Sequence, residues 1–180
     1  MSDDPIFWSC ACGAVKARAE GEGTRAVCYC SSCREFAERF GRAGWVDPSG
    51  GCDLYQTAPE CVVLTEGADQ LRWTKLTPKG PLRWYARCCG TPMANTLGTR
   101  NIPFVTLQVV GFDDPDKAGP VVARVNRQGA TGPVPDDAGG LPTLLWTFAK
   151  RALASRLSGR YKKNLFFDAA GEPIAGRQDP

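Results

Sequence analysis

Two counts narrow what this chain can be: nine cysteines and no histidine in 180 residues. Most of the cysteines gather in three short runs, Cys10-Ala11-Cys12-Gly13, Cys28-Tyr29-Cys30-Ser31-Ser32-Cys33 and Cys88-Cys89-Gly90, while Cys52 and Cys61 stand alone. Without an imidazole, Ser-His-Asp and Cys-His catalysis are excluded, and so is a zinc site with a nitrogen ligand. An odd cysteine count leaves any all-disulfide scheme with a spare thiol. The opening residues, Met1-Ser2-Asp3-Asp4-Pro5, carry neither the basic nor the apolar region of a secretory leader. The expected setting is therefore the reducing cytoplasm, where clustered cysteines usually serve a metal, and the expected cofactor is zinc held by thiolates.

No single run supplies the four ligands of a tetrahedral zinc, so at least one site must join segments far apart in sequence. Such a site closes long loops and adds its binding energy to folding. The middle run is different, because Cys28, Cys30 and Cys33 offer three thiols close together. Three protein ligands and an open fourth position is the pattern of a catalytic or exchangeable zinc. A redox dithiol through Cys30-x-x-Cys33 is the competing reading. The isolated Cys52 and Cys61 read as small buried hydrophobes.

The remaining pattern is mainly β. Residues 6–20 read as strand, tight turn and returning strand, with Gly13 at the turn, and 24–30 read as a further strand. Residues 31–40 read as one or two helical turns capped by Ser31 or Ser32. Short β-rich runs follow at 52–56, 61–66, 70–76, 81–88 and 103–110, then a Gly/Pro/Asp-rich connection over 129–140. Residues 142–157 predict an amphipathic helix whose apolar side carries Leu144, Leu145, Phe148, Ala152, Leu153 and Leu157. A net charge of +3, with acids and bases interspersed, argues against nucleic-acid and membrane-surface partners. No apolar run approaches the roughly 20 residues that cross a bilayer.

The order and spacing of the three motifs resemble the glutathione-dependent formaldehyde-activating enzyme family: Cys10-Ala11-Cys12-Gly13, then Cys28-Tyr29-Cys30-Ser31-Ser32-Cys33-Arg34, then Cys89-Gly90-Thr91-Pro92. The resemblance implies a β-tent fold of several short coiled antiparallel sheets around a cysteine zinc site. It implies a structural zinc on Cys10, Cys12 and Cys89, and a second zinc on Cys28, Cys30 and Cys33, which would be the catalytic set. The implied reaction is carbon–sulfur lyase chemistry on an adduct of glutathione, or a related thiol, with formaldehyde. The chain departs from the family pattern at Ala86, where a ligand cysteine is usual, and at Tyr29, where histidine is common. Cys88 or Cys28 is left to complete the structural site, and two adjacent thiols, Cys88 and Cys89, can share one metal only at a bulge or turn.

An anionic tripeptide needs cationic and polar anchors. Arg34 is the first candidate, Lys79 and Arg83 are weaker ones, and Asn95 is a polar anchor. Each is equally readable as a solvated charge or turn residue. The expected organisation is a single zinc-binding domain over 1–168, with a family-like core at about 8–110, an extension containing the helix, and a flexible tail over 169–180. Two functions are compatible with this reading: a lyase, and a non-catalytic zinc-binding structural or interaction module of the same fold.

Overall fold

The computed structural model describes residues 4–179. Part of the acidic opening, Met1 to Asp3, and Pro180 at the end of the expected tail lie outside the described residues. The architecture is mainly β with a C-terminal helix, as the alternating runs require. The first hairpin pairs β1 (Ile6–Ser9) with β2 (Lys16–Ala19), and Gly13 turns the chain between them at φ 76°. The next elements are β3 (Thr24–Cys28), α1 (Ser31–Arg39), β4 (Cys52–Thr57), β5 (Val62–Glu66), β6 (Leu71–Thr74) and β7 (Leu82–Ala86). Then come β8 (Thr91–Thr96), β9 (Val105–Gln108), β10 (Val121–Val125) and α2 (Leu141–Leu157).

Strands β1, β2 and β5 form a three-stranded sheet, and the other seven run in the order β10-β3-β4-β9-β8-β7-β6. Every pairing is antiparallel except β10 beside β3. The main core lies where the two sheets face each other, around Trp8, Val15, Leu71, Trp84, Met93 and Leu107, each at most 1% exposed. A second, smaller core holds Ala26, Leu54, Ala123 and Val125 together with Cys28, Cys33 and Cys52, and Leu144 of α2 packs against it.

Local features differ from the sequence reading at several points. Residues 91–96 form β8 although Pro92 interrupts the run. The register shifts between Trp84 and Tyr85 opposite Pro92, so the missing N–H falls at an irregularity of the ladder. The cap of α1 is Cys30 rather than a serine, with no side-chain cap bond. Helix α2 is rotated from its expected face: Leu144, Thr147, Phe148, Arg151, Ala152 and Ser155 turn inward. Leu145, Leu153 and Leu157 of the expected face are 51%, 61% and 80% exposed. The cause is Arg151, which donates from Nη1 to Thr24 Oγ1 at 2.7 Å and from Nη2 to Gln56 Oε1, so a polar anchor sets the helix phase. Finally, the segment expected to fray is tied down. The Trp73 indole N–H donates to the Ala175 carbonyl at 2.7 Å, Tyr85 Oη to the Gln178 carbonyl at 3.0 Å, and Gln178 N to the Trp73 carbonyl at 2.9 Å.

Candidate metal centres

Two tight turns build the first centre. Cys10 follows the last residue of β1, and its sulfur accepts a hydrogen bond from Val15 N at 3.2 Å across the β1–β2 turn. Cys88 and Cys89 lie in the turn between β7 and β8, past the last strand residue Ala86. The alternation of a strand therefore does not apply to them, and both thiols face the same point as Cys10 and Cys12. Thr91 Oγ1 ties the turns together by accepting from Ala11 N at 3.1 Å. The Cys10–Cys12, Cys10–Cys88, Cys12–Cys88 and Cys88–Cys89 sulfurs are 3.5, 3.8, 3.3 and 3.8 Å apart. A tetrahedral zinc with Zn–S of ~2.3 Å holds its sulfurs about 3.8 Å apart. The donor set and its spacing therefore fit zinc. Cys88 completes this group of four, and Cys28 belongs to the other. Burial pushes the Cys89 thiol up, but hydrogen bonds from Thr91 and from the backbone and thiol of Cys12 outweigh it and bring it down to about 6.

The second centre sits where β3 runs into α1. Cys28 closes the strand, Cys30 caps the helix and Cys33 lies in its first turn, so the three sulfurs converge within 4.8 Å of one another at the positive end of a helix. Cys28 and Cys33 are 7% and 6% exposed, and Cys30 is half-buried and the most open of the three. Their protons are unequally held. The Cys30 sulfur is driven far below the ordinary thiol range by hydrogen bonds from Cys28 and Cys33. Cys33, bonded to both neighbours and buried, is pushed well above it. Lone Cys52 stands directly opposite Cys28 on β4, and burial pushes its thiol up to about 12.

Three side chains, Asn126, Ser32 and Arg83, bond to this trio. Asn126 Nδ2 donates to Cys28 Sγ at 3.2 Å from a left-handed backbone position at φ 56°, which Asn tolerates better than other non-glycine residues. Arg83, 3% exposed on β7, points its guanidinium at Cys33 Sγ (3.6 Å), Ser32 Oγ (2.7 Å) and Asn95 Oδ1 (2.8 Å). Asn95 in turn donates to Thr106 Oγ1 at 2.8 Å. A divalent ion on three thiolates would carry net charge −1, and the buried guanidinium of Arg83 would cancel that charge.

Of the anchors read from sequence, Arg34 donates to the Gly129 carbonyl at 3.2 Å and pins α1 to the extension, and Lys79 is exposed in a turn. Asn95 reaches the trio through Arg83. Tyr29 is buried, donates to Asp47 Oδ2 at 3.1 Å and accepts from Arg124 Nη1 at 3.0 Å. Asn126 escaped the sequence reading altogether, because a single Asn ahead of Arg-Gln-Gly signals a turn and nothing more.

Asn126 and Gly129 both come from the chain beyond residue 110, and Gly129 lies so close to Tyr29 that a Cβ would stand 2.4 Å from the Tyr29 carbonyl oxygen. The second centre is thus finished by the extension. A family model spanning residues 3–175 matches the chain, extension included. The chain belongs to DUF6151, a family of unknown function. No curated protein matches this DUF6151 member. Among solved structures it is similar to a Rhodobacter sphaeroides protein from structural genomics, with 21% identity and a TM-score of 0.45 over 64% of this chain and 96% of that one. Among the described residues, no helix is long and apolar enough to cross a membrane.

Proposed function

We propose that this DUF6151 chain is a cytoplasmic zinc protein with a closed structural centre at Cys10, Cys12, Cys88 and Cys89 and an open centre at Cys28, Cys30 and Cys33. The open centre acts on an adduct of glutathione, or a related thiol, with an aldehyde as a carbon–sulfur lyase. The observation that carries the reading is the unequal ligand count of the two groups, four thiols in one and three in the other. All nine cysteines are free, which suits a reducing compartment.

Zinc bound to three thiolates keeps an incoming thiol ionised near neutral pH. The chain's own residues supply the rest. Arg83 balances the charge of the trio, and Asn126 fixes Cys28 and draws density from its sulfur. Cys30, as the least buried ligand, sets the side of approach. In the synthetic direction the thiol sulfur bonds to the aldehyde carbon and the thiol proton ends on the carbonyl oxygen; cleavage is the reverse.

One observation favours a second reading, a non-catalytic zinc module. The side chains hydrogen-bonded to the trio are Asn126, Ser32 and Arg83, none of which is a general base. One experiment separates the two. Zinc-loaded protein is incubated with glutathione and formaldehyde, and the approach to adduct equilibrium is followed by NMR beside a Cys30→Ser variant. The lyase reading expects faster equilibration than in buffer, lost in Cys30→Ser. Equal rates in wild type, variant and buffer, with one zinc held indifferently to glutathione, would leave the structural module.

A further inference from the structure

A cavity lies away from both cysteine centres. It has a volume of about 820 Å³, within the range of small-molecule sites, between α2 and the turns that flank β3 and β4. Thr24 lines it from one end of β3, and Cys28 is at the other end, about 13 Å away along the strand.

Its walls carry opposite charges. Lys150 and Arg151 of α2, with Arg160 just beyond the helix, form a cationic wall. Glu22, ahead of β3, and Glu60, between β4 and β5, form an acidic one. No ion pair joins the walls, and none of these five residues is in an ion pair with any other described residue. Arg151 Nε and Glu60 Oε2 are both buried and lack a hydrogen-bond partner. Buried charged atoms left in this way are rare, because each forfeits its solvation. A salt bridge across the cavity would satisfy both, yet none forms.

We propose that this cavity is a binding site for a zwitterionic small molecule, an amino acid or short peptide. Its carboxylate meets Arg151, Lys150 and Arg160, and its ammonium meets Glu60 and Glu22. Such a ligand spans the two walls and pairs the charges that the protein leaves apart. The site is shared between the extension, through α2 and Arg160, and the turns of the core that carry Glu22, Glu60 and Cys61.

Cys61 lines the same cavity and reports on occupancy. Zinc-loaded protein is screened by thermal shift against the individual protein amino acids and glycylglycine, with succinate and putrescine as carriers of one kind of charge. Hits are then tested for protection of Cys61 against iodoacetamide by peptide mapping. A zwitterion is expected to raise the melting temperature and slow Cys61 alkylation, with succinate and putrescine doing neither. Lys150→Ala combined with Arg160→Ala removes two exposed cationic side chains from the wall, and should weaken binding by about tenfold or more. Glu60→Gln should weaken it as well. The proposal is overturned if no zwitterion shifts melting or protects Cys61, if succinate alone performs as well, or if binding survives the wall substitutions unchanged.

Discussion

Replacing Arg83 with Met tests the electrostatics of the second centre directly. Methionine keeps much of the aliphatic stem but removes the guanidinium, whose Cζ lies 5.4 Å from the centre of the Phe36 ring, and its bonds to Cys33, Ser32 and Asn95. In the zinc-loaded protein the variant leaves a net negative metal–thiolate group with no counter-charge. Stripping one partner from a buried charge pair costs about 3–5 kcal/mol. Cys30 retains some solvent access, so the lower end applies: ~3 kcal/mol, or about a hundredfold in zinc affinity. In the metal-free form Cys28 and Cys33 keep their protons and only Cys30, the ligand with solvent access, is ionised, so that form escapes part of this cost. Competition against a chromophoric chelator should therefore show two zincs released in well-separated phases, the weaker one shifted by up to about two decades and the tighter one at Cys10, Cys12, Cys88 and Cys89 unmoved. An unchanged weak phase would refute the charge-balance argument, and equal weakening of both phases would mean that Arg83 supports the fold and not the centre.

Cys88→Ser should lower the melting temperature and the zinc count together, since it opens the centre that joins two turns, whereas Cys30→Ser should lose one zinc with little change in melting; elemental analysis alongside calorimetry separates them. Gly129→Val forces a Cβ against the Tyr29 carbonyl and should cost about 1–3 kcal/mol in denaturant unfolding, with the second zinc loosened at the same time. Asp137→Asn removes a carboxylate that the hydrogen-bonded guanidinium of Arg124 holds below its ordinary value. The stability this carboxylate contributes is fully present above the ordinary carboxylate pKa and lost as pH falls through its lowered folded value. The variant should therefore be weaker than wild type at neutral pH and converge with it in acid, as read from denaturant midpoints.

What could be read from the sequence followed from how local each signal was. The cysteine runs, the β1–β2 turn at Gly13 and the strand through Cys28 are determined by neighbours within a few residues. Strand β8 was hidden because Pro92 opposes a strand locally, and only the irregularity in the β7–β8 ladder accommodates it. Strand β10, with the run Val-Val-Ala-Arg-Val, is short and pairs with β3 from nearly a hundred residues away. Such pairing depends on tertiary context and not on propensity. The phase of α2 was misread for a related reason: apolar residues lie on both its faces, and the deciding contact, Arg151 to Gln56 and Thr24, is long-range. Arg83 carried no signal that ranked it above Arg34, since a buried arginine and a solvated one are the same letter.

The last third of the chain also governs both margins of the seven-stranded sheet. Strand β10 lies along the outer side of β3 and is itself flanked by Gly139, whose N–H and C=O bond to Val122 and Arg124 at 3.0 and 2.7 Å. At the far margin Arg177 bridges to Trp73 on β6. A chain halted before these segments would present two bare rows of backbone donors and acceptors, the template on which strands of separate molecules add edge to edge. During synthesis that hazard lasts until Arg177 has emerged to cover β6, long after the strands of the sheet themselves have been made.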